Sequence, residues 1–309
     1  MINMNKLWFI LPIVIIAGCI GGGTTPVTPS GLGLEITDFS GDLTEVTEAR
    51  TYRLTLGVEN QGSTTVEKEK SLILLIAPSG WTINSASGAN LLSDDRTALQ
   101  FSRNMRPADV ARGVEADVAN VRWTLTAPDI AAGLTVENKF FARVYYDYST
   151  TTFGTFWVYA ESEANIMRDQ GQALQKFDFN ATQGPLKVNV RVAPDPVIVS
   201  ESTELYTLII TLENVGDGVV FRSGNIPTDG SAPDLTDSLN KLDLTIEIDG
   251  DETGCSEAQD IELVRGQSVS INCDFIADKP AAKNSHTVSV AADYGYFTEQ
   301  STSVNVLGK

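Results

Sequence analysis

One eleven-residue pattern occurs twice in this chain. Residues 52–62 read YRLTLGVENQG and residues 206–216 read YTLIITLENVG. The offset is 154 throughout, matching Tyr52 with Tyr206, Leu54 with Leu208, Leu56 with Ile210, Val58 with Leu212, Asn60 with Asn214 and Gly62 with Gly216. A duplicated element restricts the fold, because each copy has to bury the same face in an equivalent way. The apolar positions alternate, which predicts a strand with one buried side. Without a gap, the same offset aligns LGLEI (32–36) with LKVNV (186–190). Further on, VYYDY (144–148) echoes VAADY (290–294), so that Asp147-Tyr148 answers Asp293-Tyr294. A polar turn and another strand are expected after each echo.

The runs around these repeats are short, β-branched or aromatic, and separated by Gly, Asn, Asp and Pro. In the first copy they are LEITDF, YRLTLGV, SLILLIA, ALQFS, VRWTLTA, FFARVYY and TFWVYA; in the second, LKVNVRV, YTLIITL, LDLTIEI, SVSINCDF, HTVSVAA and TSVNV. That pattern predicts an all-β fold of two tandem immunoglobulin-like β-sandwiches. The first domain is expected over 32–160 with a polar insertion at 84–113, and the second over 184–309. Between them, 161–183 reads as a connector, with a short helix or irregular piece at 162–175.

The chain begins MINMNKLWFILPIVIIAGC. A lysine, a short apolar run and small residues before a cysteine make a secretory signal, and the run is too short for a membrane-spanning helix. Ile16-Ala17-Gly18-Cys19 resembles the lipobox of prokaryotic lipoproteins. It implies removal of residues 1–18, lipidation of Cys19 and attachment to the extracytoplasmic face of the cell membrane. Residues 19–31, rich in Gly, Thr and Pro, then read as a linker. The formal net charge is −18, and removing Lys6 with the signal makes it one unit more negative. Such a surface repels nucleic acid and anionic lipid headgroups.

The remaining cysteines, Cys255 and Cys273, are expected to form a disulfide in an exported chain. The repeated strand ending in Glu-Asn-x-Gly resembles the CARDB-type and related immunoglobulin-like modules of archaeal and bacterial surface proteins. In those turns Asn bonds its own backbone and Gly supplies a left-handed residue. With the lipobox, the resemblance points to a prokaryotic surface lipoprotein, archaeal above all, whose modules act as spacers and interaction domains.

No residue pattern predicts a catalytic site, a cofactor or a metal. His286, the single histidine, lies at the start of a predicted strand with no nucleophile elbow in the chain. Asp249-Gly250-Asp251-Glu252 and the group Asp229, Asp234 and Asp237 offer hard oxygens but lack the spacing of a calcium loop; they read as solvated turns. Tyr145, Tyr146, Tyr148, Tyr294, Tyr296 and Phe297 are expected to divide between the core and a face that could stack on a sugar or a protein. Asn180-Ala181-Thr182 is an acceptor pattern for N-glycosylation. The function expected is an anchored interaction or spacer protein with a protein or glycan partner. The rival is a structural subunit of a surface filament or layer joined through edge strands; an envelope enzyme or solute-binding protein ranks below both.

Overall fold

The computed structural model describes residues 33–255 and 258–309. Cys19, the signal and the linker expected up to residue 31 lie outside the described residues. The first copy supplies β1 (Leu34–Gly41), β2 (Glu45–Thr47), β3 (Thr51–Asn60), β4 (Ser71–Ile76), β5 (Thr82–Ser87), β6 (Asn90–Leu91), β7 (Ala98–Gln100), β8 (Val118–Thr126) and β9 (Thr135–Ala160). Then come α1 (Glu161–Asp169), β10 (Asp178–Ala181), β11 (Leu186–Ala193), β12 (Val197–Val199), β13 (Thr203–Asn214) and β14 (Val219–Arg222). The last five are β15 (Lys241–Ile248), β16 (Asp251–Glu252), β17 (Ile261–Glu262), β18 (Ser268–Asp278) and β19 (Lys283–Leu307). The fold is all-β, in sandwich layers, with one short helix among the described residues.

Two small sheets, β1-β3-β8-β5 and β11-β13-β18, lie against one large sheet whose central members are β15-β19-β9-β4. The repeated strands occupy equivalent places. Leu54, Leu56 and Val58 on β3, and Leu208, Ile210 and Leu212 on β13, are all fully buried, as alternation dictates. The equivalence of β1 with β11 differs from the gapless alignment. Leu34 faces Asn60 and Leu186 faces Asn214, so Leu34, not Leu32, matches Leu186. A register shift between Ile36 and Asp38 widens the difference by one, so that Gly41, opposite Leu54, corresponds to Val192, opposite Leu208.

The larger departure is in the long strands. FFARVYY and TFWVYA form one uninterrupted strand, β9, and HTVSVAA and TSVNV form another, β19. All 25 residues of β19 pair with β9, antiparallel, from Lys283 opposite Tyr159 to Leu307 opposite Thr135. No turn follows Tyr148 or Tyr294, because the polar residues there are satisfied inside the sheet. Thr150 and Thr152 are buried, with their hydroxyls on the Tyr294 hydroxyl (2.9 Å) and the Val188 carbonyl (2.6 Å).

As a result, each long strand serves both copies. Phe140, early in β9, packs on Tyr52 of the first copy at 5.9 Å, whereas Phe156, late in β9, packs on Tyr206 of the second at 5.2 Å. The neighbours follow suit: β4 lies beside Phe141–Tyr146 of β9 and β12 beside Val158–Ala160. Likewise β15 lies beside Val288–Asp293 of β19, while β2 of the first copy lies beside Asn305–Leu307. Most of the buried apolar residues of both copies form one continuous cluster. Sequence position alone therefore does not assign a strand to a sandwich, since the boundary expected at 160 falls at the end of a strand the two copies share.

Candidate functional site

The ladder has a local twofold. Asp147 faces Gly295, and on either side Tyr146 faces Tyr296 and Tyr148 faces Tyr294. Under that twofold Tyr146 matches Tyr294 and Tyr148 matches Tyr296. The sequence echo of Asp147-Tyr148 with Asp293-Tyr294 is thus displaced by two residues, and the true common pattern is Tyr-x-Tyr. Side chains two apart on a strand share a face, so the four rings form one cluster, with neighbouring centroids 5.8–6.5 Å apart.

Each hydroxyl binds backbone that enters or leaves a repeated strand. The Leu34 and Leu186 amides donate to Tyr146 and Tyr294, both at 3.1 Å. The Ser63 and Thr64 amides donate to Tyr148 at 2.9 and 3.1 Å, and the Gly218 amide donates to Tyr296 at 2.7 Å. Burial pushes the phenols up: Tyr296 to about 12 despite the Gly218 bond, and Tyr146 and Tyr294 further. They stay neutral and act as structural donors and acceptors.

The Asn and Gly of the repeated motif lie beside this cluster. Asn60 donates to the carbonyls of Thr64 (2.9 Å) and Met105 (2.8 Å) and accepts from the Gly62 amide (3.0 Å). Asn214 repeats the pattern, donating to Gly218 (3.0 Å) and Gly266 (3.2 Å) and accepting from the Tyr296 hydroxyl (3.1 Å). The glycines act differently from expectation. Neither Gly62 nor Gly216 is among the positive-φ residues. A Cβ on Gly62 would collide with the Tyr148 hydroxyl, and one on Gly216 with that of Tyr296. Glycine is needed there for close approach, not for a left-handed backbone.

Two clefts flank the twofold. One, of about 250 Å³, includes Leu34, Ile36, Tyr146, Pro185 and Tyr296, with Glu35 and Asp217 among its polar residues. The other, of about 550 Å³, gathers Glu67, Lys70, Asp147 and Asp293. Burial raises the Asp147 carboxyl above its ordinary value, against the opposing pull of the Gly224 amide and Lys70. Tyr145 and Phe297 point to the opposite face from the tyrosine cluster but do not stand free. Tyr145 is buried in a small second core with Leu72, Leu74 and Phe221, and Phe297 packs against it.

The other sites read from sequence are dispersed. Cys255 and Cys273 form a disulfide with Cα atoms 5.7 Å apart. His286 bonds Asp249 through Nδ1 at 2.6 Å and stacks on Phe156 at 5.3 Å. Burial pushes the Asp249 carboxyl up, but the bonds from His286 and Thr287 outweigh it and hold the group below its ordinary value. Asp229 and Asp234 bond the backbone two residues on, at Ser231 and Thr236. Among the described residues no group of three or more His, Cys, Asp or Glu side chains is placed to hold a metal, and no helix is long and apolar enough to cross a membrane.

Asn180 lies on β10, exposed, directly opposite Phe153 of β9. Phe153 is 53% exposed. Its position beside Asn180 was not readable from sequence, because the pairing spans a helix and a loop.

No family model matches the chain, and no curated protein matches it. Among solved structures, it is similar to the secreted serine protease VesC from Vibrio cholerae over 88% of this chain and 50% of that one, at 11% identity and a TM-score of 0.22. The chain therefore spans half the length of that protein. It is also similar to a collagen adhesin from S. aureus, over 88% of this chain and 91% of that one, at 8% identity and a TM-score of 0.13. Likenesses this distant do not bear on what the chain does.

Proposed function

We propose that this chain is a membrane-anchored, extracytoplasmic spacer and interaction protein that presents two immunoglobulin-like halves as one stiff unit. The observation that carries the reading is the uninterrupted β9–β19 ladder. Two sandwiches on a flexible linker would move independently, whereas here a sharp hinge between them must disrupt paired backbone. Twenty-five residues of β19, at roughly 3.3 Å each, give a spine on the order of 80 Å long. A stiff body above the glycine- and threonine-rich linker would hold a binding face clear of the bilayer, and the acidic surface would keep it from lying on anionic headgroups. In this reading the chain binds a protein or glycan partner and catalyses nothing.

The filament reading has less support at the open edge of the first copy. β5 is an end strand of its sheet, and its pairing with β8 shifts register between Ile83 and Ser85. Such irregularity blunts an edge against pairing with another chain. Anchoring is tested with Cys19→Ser. The expected outcome is release from the membrane or an uncut signal; normal processing with full retention would overturn it. Cross-linking on intact cells, followed by mass spectrometry, then identifies the partner.

A further inference from the structure

We infer that Asn180 carries an N-linked glycan whose first sugar rests on the ring of Phe153. The sequence contains one Asn-x-Ser/Thr triplet, at Asn180-Ala181-Thr182. A triplet alone is a weak signal, but its placement here is specific. β10 pairs with β9 alone, Asn180 is exposed, and its side-chain amide has no hydrogen-bond partner among the described residues. The Thr182 hydroxyl is held by the Thr151 amide at 2.8 Å, which fixes the triplet on the sheet.

The neighbouring surface suits a sugar. Asn180 and Phe153 are directly paired, so their side chains share one face of the sheet. Phe153 in turn faces Ser289, which faces Glu247. These residues, with Asp178 and Thr287, line a cleft of about 430 Å³. A half-exposed aromatic ring ringed by hydroxyl, carboxylate and amide groups matches a pyranose, which has an apolar C–H face and polar edges. A sugar stacked there would cover the exposed part of the Phe153 ring.

The chemistry balances with one co-reactant, a lipid-linked oligosaccharide used by a membrane transferase. The Asn180 amide nitrogen attacks the anomeric carbon, the C–N bond forms, and the C–O bond to the lipid phosphate breaks. The amide proton passes to a base of the transferase and the lipid phosphate leaves. No electrons change hands. The inference rests on the chain being exported, and the Cys255–Cys273 disulfide independently fits an oxidising compartment.

The test is tandem mass spectrometry of the full chain purified from its native membranes, reading Cys19 and the Asn180 peptide in the same sample. A saccharide mass on Asn180, absent from Asn180→Gln and Thr182→Ala and retained in Thr182→Ser, is the expected result. Lipidated protein with Asn180 bare overturns the glycan and leaves the anchoring reading intact. Unprocessed protein with Asn180 bare overturns both. For the stacking, Asn180→Gln should lower the melting temperature by about 2–4 °C in the wild-type background and not in Phe153→Ala. An equal loss in both backgrounds overturns the contact with Phe153.

Discussion

The two copies use the same repeated strand and different means of supporting it. In the first copy β8 is flanked on its far side by β5, giving a four-stranded sheet, whereas the corresponding sheet of the second copy ends at β18. The second copy instead ties β18 to the chain after β16 through Cys255–Cys273. In the first copy the chain following β7 is fastened by charge. Asp117, largely buried, bonds the Arg106 backbone and side chain at 2.9 Å and lies 3.3 Å from Arg103. One copy thus gains a strand and an ion cluster where the other has a covalent staple. Both depend equally on the exchanged half-strands, which makes that exchange the stronger constraint.

Breaking the exchange should have the largest effect, and it should appear at a distance. Removing residues 301–309 takes Val304 and Val306 from the core and strips the partner from Thr135–Phe141 of β9, while leaving Tyr296 and the partner of β14 in place. The damage should fall on the N-terminal copy although the deletion is C-terminal. Hydrogen exchange should show protection lost across β3 and β8 of the first copy. Protection retained there would mean that each copy stands alone. By the same logic Ile210→Asp, which buries an unpaired charge, should cost several kcal/mol and disturb both copies.

Removing the staple should be smaller and confined to one copy. The disulfide closes a loop of 18 residues, for which the chain-entropy model gives about 3 kcal/mol. Cys255→Ser with Cys273→Ser should lower the denaturation midpoint accordingly. A non-reduced digest of the wild type should yield one bridged peptide pair, and two free thiols would refute the pairing. The glycines sharpen the comparison further. Gly62→Ala and Gly216→Ala should each cost about 1–3 kcal/mol by driving a methyl group against a tyrosine hydroxyl. Pairing Gly62→Ala with Tyr148→Phe should recover part of the loss; no recovery would point to backbone strain instead.

How much of this was legible depends on the range of the contacts. Alternation in residues 52–62 and 206–216 is local, so the strands, their buried face and the all-β class could be read directly. Asn60 and Asn214 clamp residues four positions on, and the cysteine pair had no competitor, so these too were within reach. The continuity of β9 was not. Ser149, Thr150, Thr151 and Thr152 look like a turn until Tyr294 and Val188, far away in sequence, accept or share their hydrogen bonds. The role of Gly62 was hidden for the same reason, since the tyrosine that requires it lies 86 residues later. Asn180 was visible as three letters, but the ring beside it belongs to another strand.

The smallest expected effect separates the copies from the axis between them by pH. In Asp117 the Arg106 side chain, then the Arg106 amide, hold the carboxyl below its ordinary value against burial, with help from Arg103. A carboxyl lowered in the folded state contributes stability above its unfolded pKa of about 4, and that contribution disappears as pH falls through the folded value. Asp117→Asn should therefore weaken the protein at pH 7 and converge with wild type in acid. Asp147, on the twofold, has the opposite sign. Burial raises it in the folded state, with Asp293 and Glu67 adding to the rise, so ionisation at neutral pH opposes folding. Below its unfolded pKa the group is protonated in both states and contributes nothing. Asp147→Asn keeps an oxygen for the Gly224 amide, so it should be slightly more stable than wild type at pH 7 and indistinguishable from it near pH 3. Denaturation midpoints of the three proteins across that range check both signs. A loss of stability at pH 7 in Asp147→Asn would show that the charge is used, with Lys70 the cation that favours it, and would turn the axis from a buried cost into a third fastening shared by both copies.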